Sequence, residues 1–201
     1  MNKKPRFFLG LTGSIGMGKT TISKMFRDLG VPVWCADTEV NKLYEKNGAA
    51  TKVFSKEFPS VVTEKGVDKN KLRNLIHQDA SILKKIEEIV HPLLGDSKIN
   101  FINSNKDFLF VIFDIPLLLE KNQEKNFDAV LVITASENTQ KNRVLSRENM
   151  VEKDFQLIKQ NQLNEEEKVK RADYIINTDK SLQETKQDVL LIYNKIKEVL
   201  S

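Results

Sequence analysis

The sequence predicts an α/β protein: a three-layer phosphate-loop (P-loop NTPase) fold with a parallel five-stranded sheet, a helical insertion and a small helical lid. Three observations predict it. Short apolar runs alternate with segments of helical spacing, the pattern of a sheet covered on both faces. The first run leads into Gly13-Ser-Ile-Gly16-Met-Gly18-Lys19-Thr20, which fits G-x-x-x-x-G-K-[ST] and lies between a strand and a helix, as its chemistry requires. The stretch from 38 to 105 has helical spacing and no convincing strand.

The elements follow in order. Phe7 to Thr12 reads as a buried strand. Thr20 to Leu29 places Ile22, Met25, Phe26 and Leu29 on one helical face, and Gly30 ends that helix. Val31 to Cys35 is a short second strand with Asp37 at its carboxyl end. In the insertion, Val40, Leu43 and Tyr44 form one apolar face, and Leu72, Leu75 and Ile76 another. Ile82, Ile86, Ile89 and Val90 form a third, predicted to end near His91-Pro92, with Leu94, Ile99 and Ile102 continuing beyond the break. Turn residues interrupt the helices between Phe54 and Gly66.

Phe108 to Asp114 is continuously apolar, as a central parallel strand should be, and Pro116 stops it. Phe127 to Thr134 is a fourth strand, and Ser136 caps a helix predicted to reach Asn149. Charged, glutamine-rich sequence runs to Arg171. Ala172 to Asn177 is a last strand, and Leu182 to Leu200 a closing amphipathic helix. The expected division is 1–37 and 106–201 for the nucleotide core, including a lid at about 141–170, and 38–105 for the helical insertion.

Composition narrows the classes. The chain has 201 residues, 40% hydrophobic and 30% charged, which suits one soluble α/β core with an insertion. Its net charge of +4 is mild and no long Lys/Arg run appears, so no nucleic-acid partner is implied. The single cysteine, Cys35, forms neither an intramolecular disulfide nor a zinc site, which points to a reducing, cytoplasmic compartment. Lys3, Lys4 and Arg6 precede an apolar run too short for a signal peptide, and no run approaches membrane-spanning length. A monomer or small homo-oligomer is expected.

The loop carries the first functional expectation. Glycines let successive N–H groups point inward as an anion nest, and the helix that follows turns its positive end to the same phosphates. Gly13, Gly16, Met17, Gly18, Lys19, Thr20 and Thr21 are therefore the candidate nucleotide site, with Lys19 on the β- and γ-phosphates and the Thr20 hydroxyl on Mg²⁺. A dinucleotide fold using Asp37 for a ribose is disfavoured. The glycines do not fall as G-x-G-x-x-G, and such a loop has no use for Lys-Thr.

Other groups carry weaker expectations. Asp37, read as one strand over from the loop, is the candidate to orient an acceptor hydroxyl and take its proton; its plain alternative is a helix-capping Asp. Asp114 resembles a carboxylate that helps hold Mg²⁺ or orients the acceptor, or else is a solvated strand end. Arg143 and Arg147 are expected on one helical face, with Lys141 nearby, where a lid arginine would neutralise transition-state charge; taken alone, the reading as a solvated basic face comes first. His77 and His91 read as packed or surface residues, His91 at a helix break.

The ordered set of motifs resembles the dephospho-coenzyme A kinase family along essentially the whole chain. The set comprises Leu11-Thr-Gly-Ser-Ile-Gly-Met-Gly-Lys19-Thr, Leu29-Gly-Val-Pro-Val-Trp-Cys-Ala-Asp37, Ile89-Val-His91-Pro92-Leu and Asp114-Ile-Pro-Leu-Leu-Leu-Glu120. It continues with Gln162, Glu167-Lys168 and Arg171-Ala-Asp-Tyr-Ile-Ile176. The resemblance implies ATP and Mg²⁺ as cofactors and dephospho-coenzyme A as acceptor, phosphorylated at its ribose 3′-hydroxyl. It implies Gly16 to Thr21 as the ATP-phosphate site, Asp37 as the base, Arg147 as a lid contact, and His91 and Pro92 near the acceptor, with 38–105 as the coenzyme A domain. With the reading of the residues above, the expected catalytic set is Asp37, Lys19 and Arg147, with Arg143 near the nucleotide and Asp37, His91, Pro92 and Asp114 near the acceptor. Four positions depart from the family pattern: Ser14 for a glycine, Met17 for a serine, Cys35 for the first Asp of D-A-D, and Thr178 where Asn is common. Two rivals stay open here: another small-molecule phosphate-loop kinase, and a nucleotide-dependent switch. A guanine switch would want Asn-Lys-x-Asp, where this chain reads Asn177-Thr-Asp-Lys180.

Overall fold

The computed structural model describes residues 7–148 and 150–200. Lys3, Lys4, Arg6 and the predicted helix end at Asn149 fall outside them. The chain forms two compact units, one of residues 1–34 and 105–201 and one of residues 35–104.

The first unit is built on a parallel five-stranded sheet of order β2-β5-β1-β6-β7. Its strands are β1 (Phe7–Thr12), β2 (Val33–Cys35), β5 (Phe110–Asp114), β6 (Ala129–Thr134) and β7 (Tyr174–Asn177). The apolar runs sort by depth: every residue of β5 and β6 is buried, while β2 and β7 at the edges are buried only in part. That is the expected behaviour of parallel strands with both faces covered. Leu11 pairs in register with Asp114, and Thr12 with Val132, so β1 and β5 end side by side where the loop begins, while β6 runs on to Thr134.

Helices α1 (Lys19–Asp28) and α9 (Leu182–Leu200) cover one face of the sheet. Ile22, Phe26, Val189, Ile192 and Ile196 pack with Leu9, Leu11, Leu131 and Ile133. The other face carries a smaller cluster of Leu118, Leu119, Val130 and Val132 with Leu163 and Ala172. Gly30 closes α1 at φ +80°, donating to the Arg27 carbonyl, a glycine helix stop.

The strand order corrects one expectation. β2 is separated from β1 by β5, so Asp37 follows a strand two places from the loop strand rather than one. The crossover connections that join parallel strands satisfy either order, and local pattern does not choose between them.

The 35–104 unit holds α2 (Ala36–Tyr44), α3 (Ala49–Glu57), α4 (Lys69–Gln78) and α5 (Ser81–Ser104). Its core is separate: Ala50, Phe54, Phe58, Val61, Leu72, Ile86 and Val90. Two readings are corrected here. A small hairpin of β3 (Val62–Thr63) and β4 (Gly66–Val67) lies where no strand was expected, because two-residue strands are too short to show a period of two. And α5 runs unbroken through His91-Pro92. Proline inside a helix costs about 3 kcal/mol. Here Ile86, Ile89 and Val90 before it and Leu93 and Leu94 after it all pack into the same core, and burial outweighs that cost.

Candidate active site

The phosphate loop owes its shape to two close approaches. At Gly13 (φ +155°) a side-chain carbon would lie 2.6 Å from the Ile133 carbonyl oxygen. At Gly16 (φ +81°) it would lie 2.7 Å from Val144 Cγ2 and 2.9 Å from the Gln140 carbonyl oxygen. No L side chain fits either place. Gly18 is the N-cap of α1 and supplies no side-chain cap, so the first N–H groups of that helix are not satisfied by a capping side chain. Lys19 opens the helix, and its ammonium donates to the Gly13 carbonyl at 3.0 Å.

The loop opens on a cavity of about 460 Å³ within the first unit. Ser14 and Gly16 to Thr21 form one wall; Arg143, Arg147, Thr178 and Lys180 form another. The expected phosphate-binding residues and both arginines are thus brought together, except that Gly13 does not line the cavity. The arginines arrive differently from the expectation. Helix α6 spans Glu137–Leu145 only, so Arg143 is helical and Arg147 lies beyond the end, not on the same helical face. The Ser146 hydroxyl bonds back to the Arg143 carbonyl, and Arg147 N–H turns to Val144, which closes the helix early. Lys141 is occupied by Glu152 at 2.9 Å.

Arg143 donates to Thr178 Oγ1 and to the Thr178 carbonyl, each at 2.7 Å, and reaches the Gly16 carbonyl at 3.5 Å. Thr178 Oγ1 is 2.9 Å from the Met17 carbonyl, so this threonine ties β7, α6 and the loop together. Spacing gave no sign of it: its partners lie 35 and 161 residues away.

The two carboxylates are placed unlike each other. Asp114 is 5% exposed, which removes the reading of a solvated strand end, and Oδ2 accepts from the Ser23 hydroxyl at 2.7 Å. Asp37 is exposed in the first turn of α2, where the helix dipole favours a negative charge. It is not the capping residue, since Cys35 holds that position. His91 and Pro92 are exposed on α5. Asp37, His91 and Pro92 all belong to the 35–104 unit.

Residues 7–184 match the sequence profile described as Dephospho-CoA kinase. The chain belongs to the dephospho-CoA kinase family. A relative from Jannaschia sp. (strain CCS1), named Dephospho-CoA kinase, is 44% identical over 192 residues, 96% of this chain and 98% of its own length. A solved protein of Thermus thermophilus superposes with a TM-score of 0.81 at 27% identity, covering 97% of this chain and 98% of that one. A solved Dephospho-CoA kinase from Campylobacter jejuni shares the fold, with a TM-score of 0.64 at 23% identity over 94% of this chain and 96% of that one. The family is one of phosphotransferases that use ATP.

Proposed function

We propose that this member of the dephospho-CoA kinase family transfers the γ-phosphoryl group of ATP to the ribose 3′-hydroxyl of dephospho-CoA, giving CoA and ADP, the last step of CoA biosynthesis. The observation that carries the reading is the phosphate loop walled by Arg143 and Arg147 in a chain of this family. The loop amides and Lys19 hold the β- and γ-phosphates. Arg143 and Arg147 neutralise charge on the transferring group, whose transition state is loose and depends mainly on positioning. Asp37 orients the 3′-hydroxyl and takes its proton as the O3′–phosphorus bond forms and the bond to the β-phosphate oxygen breaks, leaving the electron pair on ADP. His91, Pro92 and Asp114 are assigned to the acceptor side.

Mg²⁺ fits this donor set. The Thr20 hydroxyl is exposed at the start of α1, and Asp114 ends the neighbouring strand. Mg²⁺ in such sites takes one or two protein oxygens and completes its shell with phosphate and water, so a protein cage is not needed. When bound, it would be held by the Thr20 hydroxyl with Asp114 beside it, and would supply positive charge to offset that of the phosphates. Among the described residues no helix is long and apolar enough to cross a membrane. A cytoplasmic site of action is part of the proposal and rests on the cysteine usage.

The test is ADP release from Mg-ATP with and without dephospho-CoA, with mass spectrometry of the product. Release that requires the acceptor and yields CoA is the expected result. ATP binding with no transfer to this acceptor sinks the assignment and turns attention to other hydroxyl acceptors.

A further inference from the structure

Two motifs marked by family resemblance, but given no role by it, meet at the phosphate loop. Glu120 closes the Asp114-Ile-Pro-Leu-Leu-Leu-Glu120 run. Lys168 sits in α8 (Glu165–Lys170), after α7 (Glu152–Gln160). Lys168 is 0% exposed. Its ammonium is 2.8 Å from Glu120 Oε1 and donates at 2.8 Å to Ser14 Oγ, a loop residue 154 positions away. Glu120 Oε1 also accepts from the Leu163 N–H at 3.1 Å, while its buried Oε2 has no hydrogen-bond partner among the described residues. The next loop residue is held from both sides: Ile15 N–H donates to Gln162 Oε1 at 3.1 Å, and the Ile15 carbonyl accepts from Gln140 Nε2 at 2.8 Å.

We infer that Lys168 is a positioning residue for phosphoryl transfer: through the Ser14 hydroxyl it locks the phosphate loop against α8 and Glu120. This rests on the kinase reading above. Three physical points carry it. First, a buried ion pair is a poor source of stability, because desolvating both charges offsets their attraction; apolar residues of similar volume serve as well. A fully buried lysine whose ammonium reaches the phosphate loop calls for another use. Second, Ser14 stands where the family pattern has glycine, and its hydroxyl here receives that ammonium. Third, positive-φ glycines leave the loop backbone adaptable, whereas transfer needs donors already aimed. Holding Ser14 and Ile15 from Gln140, Gln162 and Lys168 supplies that restraint from a single stretch of chain.

The experiment compares wild type, Lys168→Met, Ser14→Ala and the double variant. Steady-state kinetics are run well below each melting midpoint, and ADP binding is measured by calorimetry without acceptor. Lys168→Met should lower kcat about 10–100-fold and raise KM for ATP, with KM for dephospho-CoA within about twofold, as expected for misplaced phosphate donors. Ser14→Ala should lower kcat by about 3–10-fold, the loss of one charge-assisted hydrogen bond. The double variant should be no slower than Lys168→Met, because both changes remove one contact. A lowered melting point with wild-type kcat and ADP affinity overturns the inference, as do multiplicative effects in the double variant. Should Lys168→Met not fold, Ser14→Ala decides, since it leaves the buried pair intact: reduced kcat supports the role and wild-type kinetics overturn it. If wild type binds ADP but phosphorylates no dephospho-CoA, the proposed function fails. ADP affinity then still reads the loop, weakened in Lys168→Met if the positioning role holds and unchanged if it does not.

Discussion

At Gly16 the loop backbone takes φ +81° with Val144 and the Gln140 carbonyl within 3 Å of where a side chain would start. Gly16→Ala therefore combines left-handed strain of about 1–3 kcal/mol with a clash against α6. Calorimetric titration with ADP should show affinity reduced about tenfold or more; unchanged affinity would mean that α6 gives way freely. Asp37 has a different character. It is exposed, and no hydrogen bond of its side chain is found among the described residues, so its removal should cost chemistry rather than structure. Asp37→Asn is predicted to keep ADP affinity and melting temperature and to lose about 10²–10⁴ in kcat. Retained turnover would return Asp37 to the part of an acidic residue in a first helical turn.

Helix α6 is an element fastened at both ends. Ser136 caps it, accepting from Thr139 N–H, and the Ser136 amide and hydroxyl in turn donate to Asp179 at 2.7 and 2.9 Å. Near its other end Arg143 grips Thr178. The Thr139 hydroxyl is the largest influence; with the Ser136 hydroxyl and amide and the Asn177 side chain it outweighs the opposing effect of burial and holds the Asp179 carboxyl below its ordinary 3.8. A depressed folded-state value means that the unfolded chain binds the proton more readily. The contribution is therefore fully present above the unfolded value and is lost as pH falls from about 4 through the folded value. Asp179→Asn should lower the urea midpoint at pH 6, and the gap to wild type should narrow progressively as the pH is taken below about 4. A gap that does not narrow would show that the anchor acts by shape and not by charge. Because α6 also carries Gln140 and Arg143, the same variant should weaken ADP binding.

For the whole molecule, two cores imply that damage can be confined. Phe54 is 0% exposed in the core of the 35–104 unit, in contact with the rings of Tyr44 and Phe58. Phe54→Ala should cost about 3–5 kcal/mol by cavity formation. The loop cavity is lined entirely from the other unit, so ADP affinity measured well below the melting midpoint should stay close to wild type. A parallel loss of ADP binding would show that the two cores do not fail separately.

Residue order by itself determined the phosphate loop, the central strands and the flanking helices. Gly13 to Thr20 is a contiguous motif whose chemistry is local. The continuously apolar runs ending at Asp114 and Thr134 say unaided that they are buried on both faces, although the ordered strands begin later than the apolar runs, at Phe110 and Ala129. The amphipathic spacing of α1 and α9 likewise names the residues that reach the core. Tertiary structure alone decided the rest. The insertion of β5 between β2 and β1, the continuity of α5 through Pro92 and the position of Arg147 past the end of α6 depend on what each segment packs against. The Ser14–Lys168–Glu120 and Met17–Thr178–Arg143 junctions join residues 35 to 161 positions apart. Local spacing encodes period and solvent side. Which polar groups share a desolvated site is set only when distant segments close over it, since the cost of burying each group then selects the partner that satisfies it.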